Sequence, residues 1–171
     1  EVLNLLPEFS ERYLRPAFTW EKDLLPKLNA FIRSAGLQEQ RLRLAMDTHL
    51  TLAFAAGTVL DTKSGKIVEL EQRTRSGLAI WAADDATVDP NWPDWAFIEC
   101  DLGTGGVEVA VAVSITRTTE PQVRAYLQGQ SNVGRLVVAS LTGGTSQTAV
   151  LNGAHADQLA DGLANHLKDV S

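Results

Sequence analysis

Small polar residues follow directly after two apolar segments that read as buried strands. The first group runs from Ser114 to Thr119 and contains one arginine, Arg117. The second runs from Thr142 to Thr145. In open α/β sheets, ligands bind beyond the carboxyl ends of the strands, where loops and helix N-termini present backbone N–H groups. Hydroxyls, glycine backbone and a guanidinium suit phosphate, ribose and base edges, although helix capping and turn formation explain the threonines and glycines equally well.

A third candidate is Trp81, which follows the apolar run from Leu78 to Ile80. Its indole offers a face on which a nucleic-acid base can stack, an interaction worth about 1–3 kcal/mol per base in proteins that bind single strands. The alternative is a tryptophan packed in the core with its N–H group hydrogen-bonded. Both interpretations remain open at the level of the sequence.

No motif for a nucleophile or a metal accompanies these residues. A G-x-S-x-G elbow fails because Gly129 and Ser131 are followed by Gly134, one residue too late. The sequence has no H-E-x-x-H or Cys/His metal spacing, and its three histidines are not paired at helical spacing. The acidic residues between positions 84 and 94 could hold a divalent cation, but a solvated loop is the more common arrangement. We therefore expect neither a metal nor a cofactor.

The two common nucleotide-binding motifs are absent as well. Gly65 and Lys66 are followed by isoleucine, so the GxxxxGK[ST] phosphate loop is missing, and the Gly103-x-Gly105 pair lacks the third glycine of G-x-G-x-x-G. Turn formation is the simpler role for the glycines at 103–106. Without a catalytic motif, we predict that the chain is not an enzyme on its own.

Composition indicates one folded domain. The 171 residues are 44% hydrophobic, which is enough for a sizeable core. A net charge of −6 argues against a general nucleic-acid coat or a protein that binds anionic membranes. The single cysteine, Cys100, fits a reducing compartment, and neither a signal peptide nor a spanning apolar run is present. We expect a soluble, cytoplasmic domain and, because it begins at Glu1 without methionine, a piece of a longer polypeptide.

The first 40 residues predict a helical lead-in. Apolar residues at three- and four-residue spacings between positions 7 and 35 predict two helices, interrupted by Pro16 and Pro26. Gly36 is the expected stop of the second helix.

Residues 41–171 predict an α/β domain that begins with a hairpin. Segment 42–60 alternates and then becomes continuously apolar, which is typical of a strand in a sheet covered on both faces. Turn residues at 61–65 and a short strand at 66–70 complete the hairpin. His49 lies inside the long strand, where a hydrogen-bonded core histidine is the simplest interpretation.

The next elements alternate between loops, strands and a helix. Residues 84–95 predict an exposed loop, and the apolar runs 95–100 and 107–115 predict a second hairpin. Thr119 is the expected N-cap of a helix that reaches about Gln128.

The last part of the chain predicts two strands and a helix. The strands are expected at 135–141 and 148–151, and an amphipathic helix begins near Asn152 or Gly153. Strands that alternate with helices imply right-handed parallel crossovers. The predicted fold is therefore an α/β domain with a mostly parallel, Rossmann-like sheet flanked by helices, with hairpin additions.

Several segments in a fixed order carry a family resemblance. They are RYLRPAFTWEKDLLPKLNAFI, HLTLAFAAG (49–57), EQ (71–72), Trp81, VAVSITRTTEPQVRAYL (111–127) and NGAHADQLADGLANHL. In this order they resemble the SAVED domain of bacterial CBASS antiphage systems. SAVED domains are related to the CARF ligand sensors of CRISPR immunity and look like two fused CARF-type, Rossmann-like units.

The resemblance implies a sensor that binds a cyclic oligonucleotide second messenger. Such binding drives oligomerisation in the family and activates a fused or associated antiphage effector, in which any catalysis is expected. Seven residues form the predicted ligand site: two near a base, three near ribose or phosphate, and two as backbone donors. They are, in that order, Gln72, Trp81, Ser114, Thr116, Arg117, Thr142 and Gly143.

Two alternatives to a sensor remain. The first is a ring nuclease that cleaves its own cyclic ligand, with Arg117 and the neighbouring hydroxyls stabilising the transition state. The second is an assembly module whose sheet or helix faces hold a complex together without a small molecule.

Overall fold

The computed structural model of the chain describes residues 1–11, 13–60, 65–74 and 77–170. The chain divides into two compact units, a first unit of Glu1–Ala82 and a second unit of Ala83–Ser171. Each unit contains one three-stranded sheet, and the first adds a short two-stranded ribbon. The division at residue 40 into a lead-in and a domain stays a prediction.

The N-terminal part of the first unit leads through turns into one long helix. A 3-10 helix, Leu6–Glu8, precedes strand β1 (Phe9–Ser10), which pairs antiparallel with β2 (Tyr13–Leu14). A π-helical turn, Trp20–Leu24, then continues into helix α1, Leu25–Gln38.

Of the two helices expected between positions 7 and 35, the second is confirmed as α1. Pro26 lies in the first turn of α1, where a missing N–H costs no hydrogen bond. The prediction of the first helix is wrong. Glu11 has a left-handed φ of 55°, and the chain forms the ribbon of β1 and β2 there instead of a helix. The expected stop at Gly36 is also wrong, since α1 continues to Gln38.

The rest of the first unit is a strand–helix–strand crossover followed by a hairpin strand. Strand β3 (Arg41–Ala45) leads to helix α2 (Leu50–Val59) and to strand β4 (Ile67–Thr74), which pairs parallel with β3. Strand β5 (Gly77–Ala82) then pairs antiparallel with β4, so the order is β3-β4-β5.

The single long strand expected at 42–60 is therefore wrong. An apolar run of ten residues fits a helix better than a strand, and here it forms α2. The hairpin expected to join this segment to 66–70 is wrong too, because β3 and β4 are parallel. Most of its expected turn lies outside the described residues. His49 is the N-cap residue of α2 rather than a strand residue.

Both helices of the first unit lie on the same side of its sheet. Leu42 lies close to α1 beside Gly36, and Leu44 and Leu70 lie near the first turns of α2. The buried core between the helices consists of Phe9, Leu24, Leu28, Ile32, Leu52, Ala55 and Ala56. Because alternate strand residues face opposite sides, the other face carries Arg41, Arg43, Glu69, Arg73, Leu78 and Ile80. All of these except Glu69 are exposed.

The second unit has a helix on each face of its sheet. Its elements are β6 (Trp95–Asp101), β7 (Glu108–Ser114), α3 (Glu120–Leu127), β8 (Val133–Leu141) and α4 (Gly153–Val170). Strand β8 lies between the other two, antiparallel to β6 and parallel to β7. Leu136 and Val138 pack towards Val123 and Leu127 of α3, whereas Leu141 packs against Leu159 of α4.

In the second unit both helices and the strands expected at 95–100, 107–115 and 135–141 are confirmed, whereas one strand pairing and one further strand are not. Helix α3 follows Thr119 as its N-cap residue, and α4 closes the chain as an amphipathic helix. The hairpin expected from 95–100 and 107–115 is wrong, because β8 inserts between β6 and β7. The strand expected at 148–151 is wrong, since these residues form turns that lead into α4.

The α/β class is confirmed, but a mostly parallel sheet is not. Among the described residues two strand pairs are parallel, β3 with β4 and β7 with β8, and the other three pairs are antiparallel. Each parallel pair is joined by a crossover helix, α2 or α3. In the part of the chain that is described, no helix has the length and apolar character needed to cross a membrane.

Candidate functional site

The two strand exits of the second unit meet at one edge of its sheet. Because β7 and β8 are parallel, with Ser114 opposite Ser140, both strands end on the same side. The loop after β7 (115–119) and the loop after β8 (142–152) touch there, since the Ser146 N–H donates to the Ile115 carbonyl at 3.1 Å. We call this place the second-unit edge.

Ser114 holds the loop after β7 in place. Its side chain is buried, and its Oγ accepts a hydrogen bond from the Thr119 N–H at 3.1 Å. The Thr119 hydroxyl donates to the Val113 carbonyl at 2.9 Å, so the 3.1 Å contact between the two hydroxyls uses the proton of Ser114. The buried Ser114 hydroxyl therefore holds the end of the loop after β7 in place through Thr119.

Thr116 and Arg117 project from the same loop into solvent. Both are exposed. Across the described ranges, neither side chain makes a hydrogen bond or an ion pair. Arg117 is thus a guanidinium with five N–H donors available at the second-unit edge.

Thr142 and Gly143 begin the loop after β8, and they differ as donors. The Thr142 N–H donates to the Asp94 carbonyl at 2.9 Å, and the Asp94 N–H donates to the Thr142 hydroxyl at 3.2 Å. The Thr142 backbone donor is therefore already used. The Gly143 N–H has no partner within the described chain, and a Cβ at this position would lie 3.5 Å from Pro93. Gly143 is the donor that remains available.

The N-terminus of α4 is occupied by a carboxylate of the protein itself. Asp85 accepts hydrogen bonds from the N–H groups of Gly153 at 2.8 Å and Ala154 at 3.0 Å. Asn152 accepts another from the His155 N–H at 2.8 Å. A carboxylate at this end of a helix satisfies free N–H groups and complements the helix dipole. This role is not apparent from the sequence, where Asp85 is one of several acidic residues in an expected solvated loop.

His155 is fully buried beneath the second-unit edge. Its ring contacts Trp92, with centroids 5.1 Å apart, and both ring nitrogens are hydrogen-bonded. This arrangement is not apparent from the sequence, in which the position of His155 shortly after Asn152, at the expected start of α4, is the local signal.

Gln72 and Trp81 belong to the first unit. They lie on neighbouring strands and on the face that the helices cover, because Leu70 is opposite Trp81 and Gln72 is opposite Ala79. Gln72 is exposed and Trp81 is half-buried.

Gln72 lines a cavity of about 210 Å³ at the carboxyl ends of the parallel strands β3 and β4. Met46 and Thr48, from the loop between β3 and α2, also line it, and so does Leu50 in the first turn of α2. We call this place the first-unit edge. Trp81 is not one of the lining residues.

The loop of residues 46–49 helps to line the first-unit edge. The sequence does not predict this loop when 42–60 is assigned to one strand. An available signal was Asp47-Thr48, since residues of these types favour helix starts and follow the alternating RLRLA.

A buried carboxylate lies on the uncovered face of the first unit's sheet. Glu69 is only 7% exposed, and Arg43 contacts its Oε2 from Nε at 3.0 Å and from a terminal nitrogen at 2.9 Å. Arg41 binds its Oε1. The hydrogen bonds from Arg43 and then from Arg41 lower the pKa of Glu69, against an opposing contribution from desolvation. We call this trio the Glu69 clamp.

The described residues contain no cluster of three or more His, Cys, Asp or Glu side chains that could hold a metal ion. What the two edges offer instead is backbone N–H groups, hydroxyls, one amide and one free guanidinium. These groups can bind a phosphorylated or otherwise polar ligand.

Comparison with known proteins gives a family and one close relative. Residues 24–171 match the SAVED family, described as the SMODS-associated and fused to various effectors sensor domain. The chain is also 34% identical over 169 residues to CD-NTase-associated protein 4 of Enterobacter hormaechei subsp. hoffmannii (strain UCI 50). This alignment covers 98% of the chain and 33% of the relative, so the chain spans about one third of that protein's length.

Proposed function

Because the chain belongs to the SAVED family of sensor domains, we propose that it binds a cyclic oligonucleotide signal and that binding activates an attached or associated antiphage effector. The family's description as a sensor fused to various effectors supports the coupling to an effector. The CD-NTase in the relative's name supports a signal made by a partner enzyme. The cytoplasm remains the expected location.

The observation that carries the proposal is the second-unit edge. Arg117 offers an unpaired guanidinium there, next in sequence to the exposed Thr116, and the loop after β8 offers the free N–H of Gly143. A guanidinium can bind two phosphate oxygens at once, and backbone N–H groups add neutral donors. We assign Arg117 to a phosphate and Thr116 to a ribose or phosphate. Ser114 and Thr142 keep the edge in shape through their own hydrogen bonds.

We assign the first-unit edge to recognition of a base. An amide side chain such as that of Gln72 can both donate to and accept from a base edge, and Trp81 supplies an aromatic face on the neighbouring strand. The cavity of about 210 Å³ is smaller than the roughly 300 Å³ at the low end of pockets for drug-sized ligands. It can hold one ring system, and it adjoins a groove of about 1130 Å³ that is also lined by Leu44, Met46 and Thr48.

The test is calorimetric titration of the full chain with cyclic di-, tri- and tetra-adenylate. Arg117→Ala should weaken binding of whichever probe the unmodified chain binds by about tenfold or more, because a hydrogen bond to a charged group contributes about 1.5–3 kcal/mol. Arg33→Ala is the matched control, since Arg33 on α1 is also an exposed arginine without a partner among the described residues. The proposal fails if no probe binds, or if both variants bind alike.

Activation through self-association needs a separate measurement. Sedimentation velocity of the full chain should show larger species when a binding probe is added, and the same species should be reduced for Arg117→Ala. If binding occurs and the sedimentation coefficient does not change, activation does not run through oligomerisation. Chromatography of the probe after long incubation distinguishes a sensor, which leaves it intact, from a ring nuclease.

A further inference from the structure

His155 is a buried titratable side chain to which the proposed function assigns no contact with a ligand. It is 0% exposed in the first turn of α4. Its Nδ1 lies 3.2 Å from the Leu151 nitrogen, and its Nε2 lies 2.7 Å from the Pro93 carbonyl oxygen. A side chain that is hydrogen-bonded at both ends inside a core can fix the distance between two segments.

The tautomer of this ring follows from its partners. The Leu151 N–H can only donate, so Nδ1 must be the acceptor and carries no proton. The Pro93 carbonyl can only accept, so Nε2 carries the proton and donates it. The neutral ring with its proton on Nε2 satisfies both partners at once.

The two partners belong to segments that build the second-unit edge. Leu151 ends the loop after β8, and Pro93 belongs to the segment 83–94 that precedes β6. That segment is tied to the edge at two further points: Asp94 exchanges hydrogen bonds with Thr142, and Asp85 binds the N-terminus of α4. Of the three residues that make these links, His155 is buried, whereas Asp85 and Asp94 are exposed.

We propose that His155 is a positioning residue for ligand binding at the second-unit edge, acting through Pro93 on the loop that presents Thr142 and Gly143. Pro93 is also the residue that a Cβ at Gly143 would meet, so its carbonyl bond to His155 fixes the surface against which Gly143 lies. The proposal rests on the proposed function, because it assumes that this edge binds the cyclic oligonucleotide.

Three variants at this position separate its two bonds. His155→Ala removes both; His155→Gln keeps a donor near the Nε2 position for Pro93; His155→Asn keeps an acceptor near the Nδ1 position for Leu151. With the cyclic adenylate that the unmodified chain binds, His155→Ala should raise the Kd about fivefold to tenfold, the size expected when one or two neutral hydrogen bonds are lost. His155→Gln should restore most of the affinity, whereas His155→Asn should not.

A matched control separates positioning from general stability. Leu136→Val alters a fully buried residue near the start of β8, away from the edge. It should lower the melting temperature and leave the Kd unchanged. In hydrogen exchange of the full chain, His155→Ala should speed exchange at residues 142–151 and 92–95, and His155→Gln should slow it again.

Each failure has a distinct signature. If the unmodified chain binds a cyclic adenylate and His155→Ala binds it equally well, the positioning role is wrong while the proposed function stands. If Leu136→Val weakens binding as much as His155→Ala, the effect is one of stability and the positioning role is again wrong. If no probe binds the unmodified chain, the proposed function fails, and the exchange experiment alone decides whether His155 couples the two segments.

Discussion

The central strands of the two units, β4 and β8, differ in what covers them. Strand β8 has helices on both faces, and its residues 136–139 are all at most 5% exposed. Strand β4 has helices on one face only, and on its other face it carries Glu69, Glu71 and Arg73 in alternation. Strands covered on both faces read as continuous apolar runs, and strands covered on one face alternate. The same strand–helix–strand arrangement is therefore encoded by an alternating pattern in β4 and by a continuous apolar pattern in β8.

The largest effect that tests this difference comes from the same substitution in each unit. Leu136→Ala in β8 should lower the free energy of unfolding of the second unit by about 2–5 kcal/mol, because the side chain is fully buried. Leu78→Ala in β5, at a position 59% exposed, should change stability of the first unit by no more than about 0.5 kcal/mol. Urea denaturation measures both. Equal losses would mean that the face bearing Leu78 is covered.

A medium effect is expected at the helix starts, where the units also differ. Helix α4 begins on the carboxylate of Asp85, whereas the side chain of His49, the N-cap residue of α2, makes no capping hydrogen bond. Asp85→Ala should destabilise the second unit by about 0.5–2 kcal/mol, the usual range for a lost N-cap. Asp84→Ala, at the exposed neighbouring position, is the control and should be close to neutral in the same urea measurement. If Asp85→Ala leaves the free energy of unfolding unchanged, the carboxylate does not stabilise the start of α4.

The smallest effect is expected from the Glu69 clamp, because its arginines are at least half exposed and their charges are screened by solvent. The folded-state pKa of Glu69 is lowered, so the clamp stabilises the first unit at pH values above the ordinary carboxyl range. This contribution is lost as the pH falls through the lowered pKa. Glu69→Gln should therefore unfold at a lower urea concentration at pH 7, and the difference from the unmodified chain should shrink towards low pH.

A control on the same strand sharpens the clamp prediction. Glu71→Gln removes a carboxylate that forms no ion pair within the described part of the chain. It should show a smaller difference at pH 7 than Glu69→Gln. If the two variants depend on pH in the same way, the arginines do not stabilise Glu69 in solution.

Elements with strong local signals were predictable from the sequence. Thr119 and Pro121 mark the start of α3, and the spacing of Leu159, Leu163 and Leu167 marks the buried side of α4. The segment that became α2 was assigned to a strand because its apolar residues show no helical period, although its length of ten residues favours a helix. Its misassignment also hid the loop at 46–49, and with it the first-unit edge.

Strand partners were less predictable than strands. Sequence neighbours such as β6 and β7 often form hairpins, but here the most buried of the three strands takes the central position although it comes last. The second-unit edge was likewise only partly predictable from the sequence. Strand ends could be placed together from topology alone, whereas the bonds of His155 to Pro93 and of Asp85 to α4 join residues 62 to 69 positions apart. No local pattern encodes such pairs.

The central position of β8 also has a consequence for synthesis. Strands β6 and β7 are translated first, yet in the described structure each of them pairs only with β8. A nascent chain that has reached Gln130 therefore holds two strands without a partner, and their edges are open to unwanted pairing. The sheet of the second unit can form only after Leu141 has left the ribosome.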